Sequence, residues 1–157
     1  MRTLKVACLT LLAGMVSVDG AVAQSGRDMV LTAKSWSYQL QGDVSRIAGS
    51  SADMVVVDPD HAGSAPRFRT RSGGGRRAVL AYLSIGEAER NRPYWKSCCA
   101  SGSPSWLTGR TQGWAGNYVV RFWEPAWKAI VAARVKSFLA MGYDGLYLDR
   151  VDTYENI

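Results

Sequence analysis

Hydrophobic residues in this chain gather into a few short, dense runs separated by polar, glycine-rich connections. Met54-Val-Val-Val57 is a β-branched run closed by Asp58-Pro59, and Ala78 to Ile85 is mainly apolar and closed by Gly86-Glu87. Tyr143 to Leu148 ends in Asp149, and Trp36 to Leu40 alternates aromatic and polar residues. Near-continuous apolar runs predict strands buried on both faces of a parallel sheet; antiparallel hairpins would alternate more cleanly and show short turns. A helical period occupies Pro125 to Met141, where Trp127, Ile130, Val131, Val135, Phe138 and Leu139 recur at three- and four-residue steps. Pro125 suits its first turn and Gly142 its left-handed stop. Val44 to Ala48 predicts a shorter helix. The next helical slot, Arg67 to Arg77, is poor helix sequence because Gly73, Gly74 and Gly75 interrupt it.

Between Glu87 and Pro125 the pattern predicts one long loop, rich in Trp, Gly and Ser. Its aromatics (Trp95, Trp106, Trp114, Tyr118 and Trp123) argue against disorder, and ordered loops of that length are usually functional. Strand, short helix, strand, poor helix, strand, loop, helix, strand is an α/β order. An open nucleotide-binding sheet would want a glycine-rich cradle after its first strand. Gln41-Gly42-Asp43 supplies one glycine, and the triple glycine precedes a strand. The expectation is therefore an incomplete TIM barrel, the first four β/α units of a (β/α)8 fold. A whole barrel takes about 250 residues, and this chain has 157.

Composition adds a compartment. Arg2 and Lys5 precede the apolar run Val6 to Val18, and Ala21-Val-Ala23 is a small-x-small cleavage pattern. Residues 1–23 read as a secretory signal peptide cut after Ala23, leaving residues 24–157 as one secreted or periplasmic domain. The run is shorter than the ~20 residues of a membrane span, so no membrane partner is expected after cleavage. Cys8 leaves with the leader; adjacent Cys98 and Cys99 form a vicinal disulfide or pair elsewhere. With the single His61 they fall short of the about four ligands of a zinc site, and no cofactor or metal is expected. Much of the net charge of +6 lies between Arg67 and Arg77. No nucleic-acid module surrounds that run, so it reads as a solvated, flexible loop.

Three predicted strands end in an acid: Asp58, Glu87 and Asp149. Parallel barrel strands deliver their C-terminal ends to one rim, where active sites sit. Cleaving a glycosidic bond takes two carboxyl groups, and sugar rings stack on aromatic side chains. Asp149 and Glu87 are the catalytic candidates. Tyr38, Asp58, Tyr82, Trp95, Tyr147, Arg150 and Asp152 are the substrate-binding candidates. Their plainer roles are turn formation for Asp58, helix capping for Glu87 and Asp152, and barrel core for Tyr82 and Tyr147. The lone histidine argues against a Ser-His-Asp relay.

With those residues in place, the chain resembles glycoside hydrolase family 114, the endo-α-1,4-polygalactosaminidases. The likeness rests on Trp36-Ser-Tyr-Gln-Leu-Gln-Gly42, Val55-Val-Val-Asp58 and Leu80-Ala-Tyr-Leu-Ser-Ile-Gly-Glu-Ala-Glu-Arg90. It continues in Tyr94-Trp95, Phe122-Trp-Glu-Pro-Ala-Trp127 and Gly142-Tyr-Asp-Gly-Leu-Tyr-Leu-Asp-Arg-Val-Asp-Thr-Tyr154. It implies a (β/α)8 barrel that cuts α-1,4-linked galactosamine polysaccharide internally, with Asp149 as nucleophile and an acid/base glutamate on a sixth strand. Four strands leave an open sheet edge, so the chain is expected to behave as a fragment with little hydrolysis of its own and a tendency to self-associate. The alternative is a non-catalytic carbohydrate-binding or biofilm-matrix protein. A deacetylase would normally need a metal, which the scarcity of histidine disfavours.

Overall fold

The computed structural model describes residues 25–99 and 102–156; the leader expected over residues 1–23 lies outside them. The elements begin with α1 (Gly26–Thr32), β1 (Trp36–Gln39), α2 (Ser45–Ala48), β2 (Met54–Val57) and α3 (Pro59–Ala62). A 3-10 turn (Ala65–Phe68), β3 (Ala78–Ser84), β4 (Glu87–Glu89), α4 (Trp95–Cys98), β5 (Leu107–Arg110) and β6 (Asn117–Val120) follow. The chain then forms α5 (Pro125–Ala140), β7 (Gly145–Asp149) and a closing 3-10 turn (Thr153–Asn156).

β1, β2, β3 and β7 pair in that order, every pair parallel. Side chains alternate across a strand, and the two faces separate accordingly. Val55, Val57, Val79, Ala81 and Leu83 face a core with Ile47, Phe68 and Phe138 from the helical layer. Val56, Leu80 and Tyr82 face the other way, with Met54, Tyr147 and Val30 of α1 packed on them. The same parity puts Asp58, just past β2, and Asp149, the last residue of β7, on this second side. α1 has no counterpart in the periodicity. Ser25 caps it, accepting from the Asp28 N–H, and Met29 is its one buried residue.

Two expectations change. The segment after Glu87 is not one long loop: β4, β6 and β5 form a separate antiparallel sheet in that order. Its strands are three or four residues long, and the β5–β6 register shifts between Leu107 and Gly109, which erased any readable alternation. This sheet has its own core of Ala88, Cys99, Trp106, Val120 and Trp127, and Cys98 and Cys99 are joined in a disulfide beside it. Trp127 of α5 packs on Trp106 at 5.0 Å and donates from Nε1 to the Ile85 carbonyl, fastening the insert to the end of β3.

The arginine run is also not a loose, solvated loop. Gly73, Gly74 and Gly75 all take positive φ in a turn closed by an antiparallel bridge between Thr70 and Arg76. Arg77 is fully buried and donates to the carbonyls of Phe68, Ser50, Ile47 and Ala48. One guanidinium thus ties the end of α2 to the 3-10 turn that carries Phe68. Arg71 pairs with Asp53, Arg76 with Asp144, and Arg69 donates to the Gly142 carbonyl.

Candidate active site

The rim is built around a glycine. A Cβ placed on Gly86 would lie 2.0 Å from Thr153 Oγ1 and 2.3 Å from the Arg150 carbonyl oxygen. Only glycine lets the end of β3 lie against the turn that leaves β7. In that turn Arg150 takes φ 58, the left-handed region that non-glycine residues seldom enter. Its backbone N–H donates to Asp149 Oδ1 at 2.9 Å, and its guanidinium meets Glu87 Oε1 at 2.7 Å in an ion pair that lacks hydrogen-bond geometry.

Above these strand ends lies a cleft of about 840 Å³. Its walls carry four carboxylates: Asp58, Glu87, Glu89 and Asp149. Three are matched by cations. Arg92, itself buried, contacts Asp58 at 2.6 Å and grips both oxygens of Glu89 at 2.7 and 2.9 Å. Arg150 matches Glu87, whose other oxygen accepts from Asn117 Nδ2 at 3.1 Å. Among the described residues Asp149 is the one cleft carboxylate with no ion pair; its Oδ2 accepts from the Tyr82 hydroxyl at 2.6 Å.

Burial pushes the Tyr82 hydroxyl well above the ordinary tyrosine range, with the Asp149 hydrogen bond adding to the effect, so it stays a donor. Tyr38 is raised to about 12, first by burial and then by the negative charge of Asp149. Burial also raises Glu89, against the opposing pull of Arg92. For Arg92 burial acts downward, but the Glu89 and Asp58 charges outweigh it and the guanidinium is held more firmly protonated. Among the described residues no group of three or more His, Cys, Asp or Glu side chains could hold a metal ion.

The structure thus brings together Asp149, Glu87, Tyr38, Asp58, Tyr82 and Arg150 on one cleft. Tyr147 sits deeper, packed edge-on to Tyr38 at 5.4 Å and stacked on Trp36 at 6.3 Å. Trp95 stacks on Tyr118 at 4.9 Å in the core of the insert and does not reach the cleft wall. Asp152 is exposed in the turn beyond Arg150, also off the wall. The reading of the sequence missed Glu89, Arg92 and Asn117, and held Trp114 only as one of the loop aromatics. A signal for Glu89 was available: in Glu87-Ala-Glu89 the two acids share one face of a strand. Arg92 and Trp114 depend on a fold-back that no local pattern announces.

The model of glycoside-hydrolase family GH114 matches residues 19–157. The chain belongs to this family. Relatives of this GH114 chain include an uncharacterized protein of Deinococcus radiodurans, 37% identical over 76% of this chain and 41% of its own length. Another, from Methanocaldococcus jannaschii, is 35% identical over 76% of this chain and 36% of its own. This GH114 chain therefore spans about two-fifths of the length of those relatives. Among solved structures, Aspergillus fumigatus Ega3 in complex with galactosamine superposes with a TM-score of 0.59 at 23% identity, covering 78% of this chain and 46% of that one. The glycoside hydrolase domain of PelA from Pseudomonas aeruginosa superposes with a TM-score of 0.54 at 23% identity, over 78% and 47%. The α/β fold with its parallel sheet is that of these GH114 enzymes.

Proposed function

We propose that this chain carries the nucleophile-bearing half of an endo-acting glycosidase barrel that cleaves α-1,4-linked galactosamine polysaccharide. The observation that carries the reading is Asp149: a strand-end carboxylate, free of counter-cations, oriented by Tyr82 and open to an acidic cleft. A carboxylate left unneutralised keeps its charge for an oxocarbenium-like centre and for a cationic amino sugar, and the cleft's four carboxylates outnumber its guanidiniums, Arg90, Arg92 and Arg150. The bound galactosamine of the Ega3 neighbour points to the same class of substrate.

Glu87 is held on both oxygens, by Arg150 and Asn117, and is therefore poorly placed to deliver a proton. We assign the acid/base to the part of the barrel that the longer relatives possess and these four strands do not. The outer edges of β1 and β7 have no partner strand among the described residues, which fits completion by further strands or by a second copy. The same locked Glu87 favours the second reading, a carbohydrate-binding protein with little chemistry of its own. Export is supported by the leader pattern and by the Cys98–Cys99 disulfide, a bond that persists in oxidising compartments.

The test pairs binding with reducing-end release from galactosamine oligosaccharide, for the chain and for Asp149→Asn. Saturable binding by both proteins, with whatever cleavage the chain supports lost in the Asn variant, is expected. Cleavage unchanged in Asp149→Asn removes that residue from the mechanism. No binding by either removes the glycan.

A further inference from the structure

Cys98 and Cys99 are neighbours in sequence, so the bond between them encloses no loop. Disulfides stabilise a fold in step with the length of chain they close off, and this one does little to hold distant parts together. It sits at the end of α4, a single turn with no side-chain cap. The backbone N–H groups of Cys98 and Cys99 donate to the carbonyls of Tyr94 and Trp95 at 3.2 and 3.0 Å. Helices this short do not persist by themselves in water, and a covalent tie across the last two residues favours the turn. The two aromatics held in this way reach the rim of the cleft. The Tyr94 hydroxyl accepts the Glu89 N–H at 2.9 Å, and Trp95 stacks on Tyr118, next to the Asn117 amide that donates to Glu87. Cys99 is buried with Trp106 in the core of the insert, whereas Cys98 is half-buried.

We propose that the Cys98–Cys99 bond is a reversible thiol-exchange site whose state sets the order of α4 and, through Tyr94 and Trp95, of the Glu87–Glu89 rim. The reactant is a small thiol. Its thiolate attacks Cys98 Sγ, the less buried sulfur, the disulfide breaks, and Cys99 leaves as a thiolate that takes up a proton. A second thiol attacks the mixed disulfide at the small molecule's own sulfur, which frees the Cys98 thiol and releases the small molecule as its disulfide. Two electrons thus pass from two thiols to the protein bond, and the small disulfide reverses both steps. Because the bond encloses no loop, it opens without unfolding the sheet. With it open, α4 loses its covalent end and the Tyr94 hydroxyl no longer holds the Glu89 backbone. The rim is then fully formed only in oxidising surroundings.

Amide hydrogen exchange on the purified chain in reduced and in oxidised glutathione tests this, with the thiol state read by mass spectrometry. In reduced glutathione the buried β2 amides of Val55 to Val57 should stay protected, while the Cys99 and Glu89 amides exchange about tenfold faster. Return to oxidised glutathione should restore them. The double variant Cys98→Ser and Cys99→Ser should fold and show the fast Glu89 exchange in both buffers. A bond that resists glutathione, a Glu89 amide equally protected in both states, or β2 and Glu89 opening together overturns the proposal. A double variant that fails to fold overturns it too, since the bond would then be holding the fold. None of these readouts depends on what fills the cleft, so their failure leaves the glycan reading standing.

Discussion

The Tyr82 hydroxyl donates a 2.6 Å hydrogen bond to Asp149 across the β3–β7 pair, directly beneath the cleft. Tyr82 and Asp149 therefore form a single unit: a buried phenol that steers a carboxylate without neutralising it. Hydrogen bonds to charged groups contribute about 1.5–3 kcal/mol, and Tyr82→Phe should cost that much in urea denaturation and weaken amino-sugar binding. A variant as stable as the parent would mean that the hydroxyl does not hold the carboxylate.

Arg92 is the hub that fixes the insert to the rim. It joins Glu89 from the insert to Asp58, just past β2, and Asp60 of α3, and lies 5.7 Å over the Tyr82 ring. Removing one partner of a buried ion pair strands the others, so Arg92→Met should destabilise the fold by about 3–5 kcal/mol. Adding Glu89→Gln and Asp58→Asn should recover part of the loss. Thermal denaturation of the single and triple variants checks both statements, and a triple variant less stable than the single one would contradict them.

Glu89 gives the fold a pH dependence of known sign. Burial raises its folded pKa above the unfolded value, so its contribution is fully present below the unfolded pKa and is lost as pH rises through the folded one. In Arg92→Met the opposing cation is gone, and the Glu89 carboxyl should titrate higher still. Carboxyl-resolved NMR titration of both proteins reads this. A Glu89 midpoint at or below the ordinary value of about 4.3 would refute it.

Gly86→Ala should be poorly tolerated although it adds a single methyl. The added carbon meets the Arg150 backbone oxygen as well as the Thr153 side chain, so the turn after Asp149 has to move. Overpacking of this kind costs about 1–3 kcal/mol, and truncating Thr153 to Ala relieves only the side-chain part. Loss of the Arg150–Glu87 ion pair in a structure of the variant is the direct readout.

Much of this organisation was legible in the sequence. The four parallel strands and the long helix follow from apolar runs and period, and Pro125 and Gly142 bound the helix as their chemistry requires. Strand-end acids gave the rim, since residue parity in β2, β3 and β7 carries Asp58, Tyr82 and Asp149 to one face. The insert stayed hidden because its strands are too short for a period and its partners are set by tertiary contact. Trp95 illustrates the cost: composition cannot tell a tryptophan that fills a core from one, like Trp114, that faces a groove. The arginine run misled for the same reason. Arg77 is buried because carbonyls of Phe68, Ser50, Ile47 and Ala48 converge on it, and only the folded chain brings them together.

The most direct measurement is covalent labelling with an activated galactosaminyl fluoride. Fluoride departs without the proton that a natural leaving group needs, so attack by an aspartate Oδ on the anomeric carbon goes forward even without an acid/base. Peptide mass spectrometry should find one glycosyl adduct, on Asp149, absent from Asp149→Asn and suppressed by competing galactosamine oligosaccharide. An adduct on Glu87 or Glu89 instead, or no saturable labelling at all, would contradict the assignment of Asp149 as the reacting carboxylate.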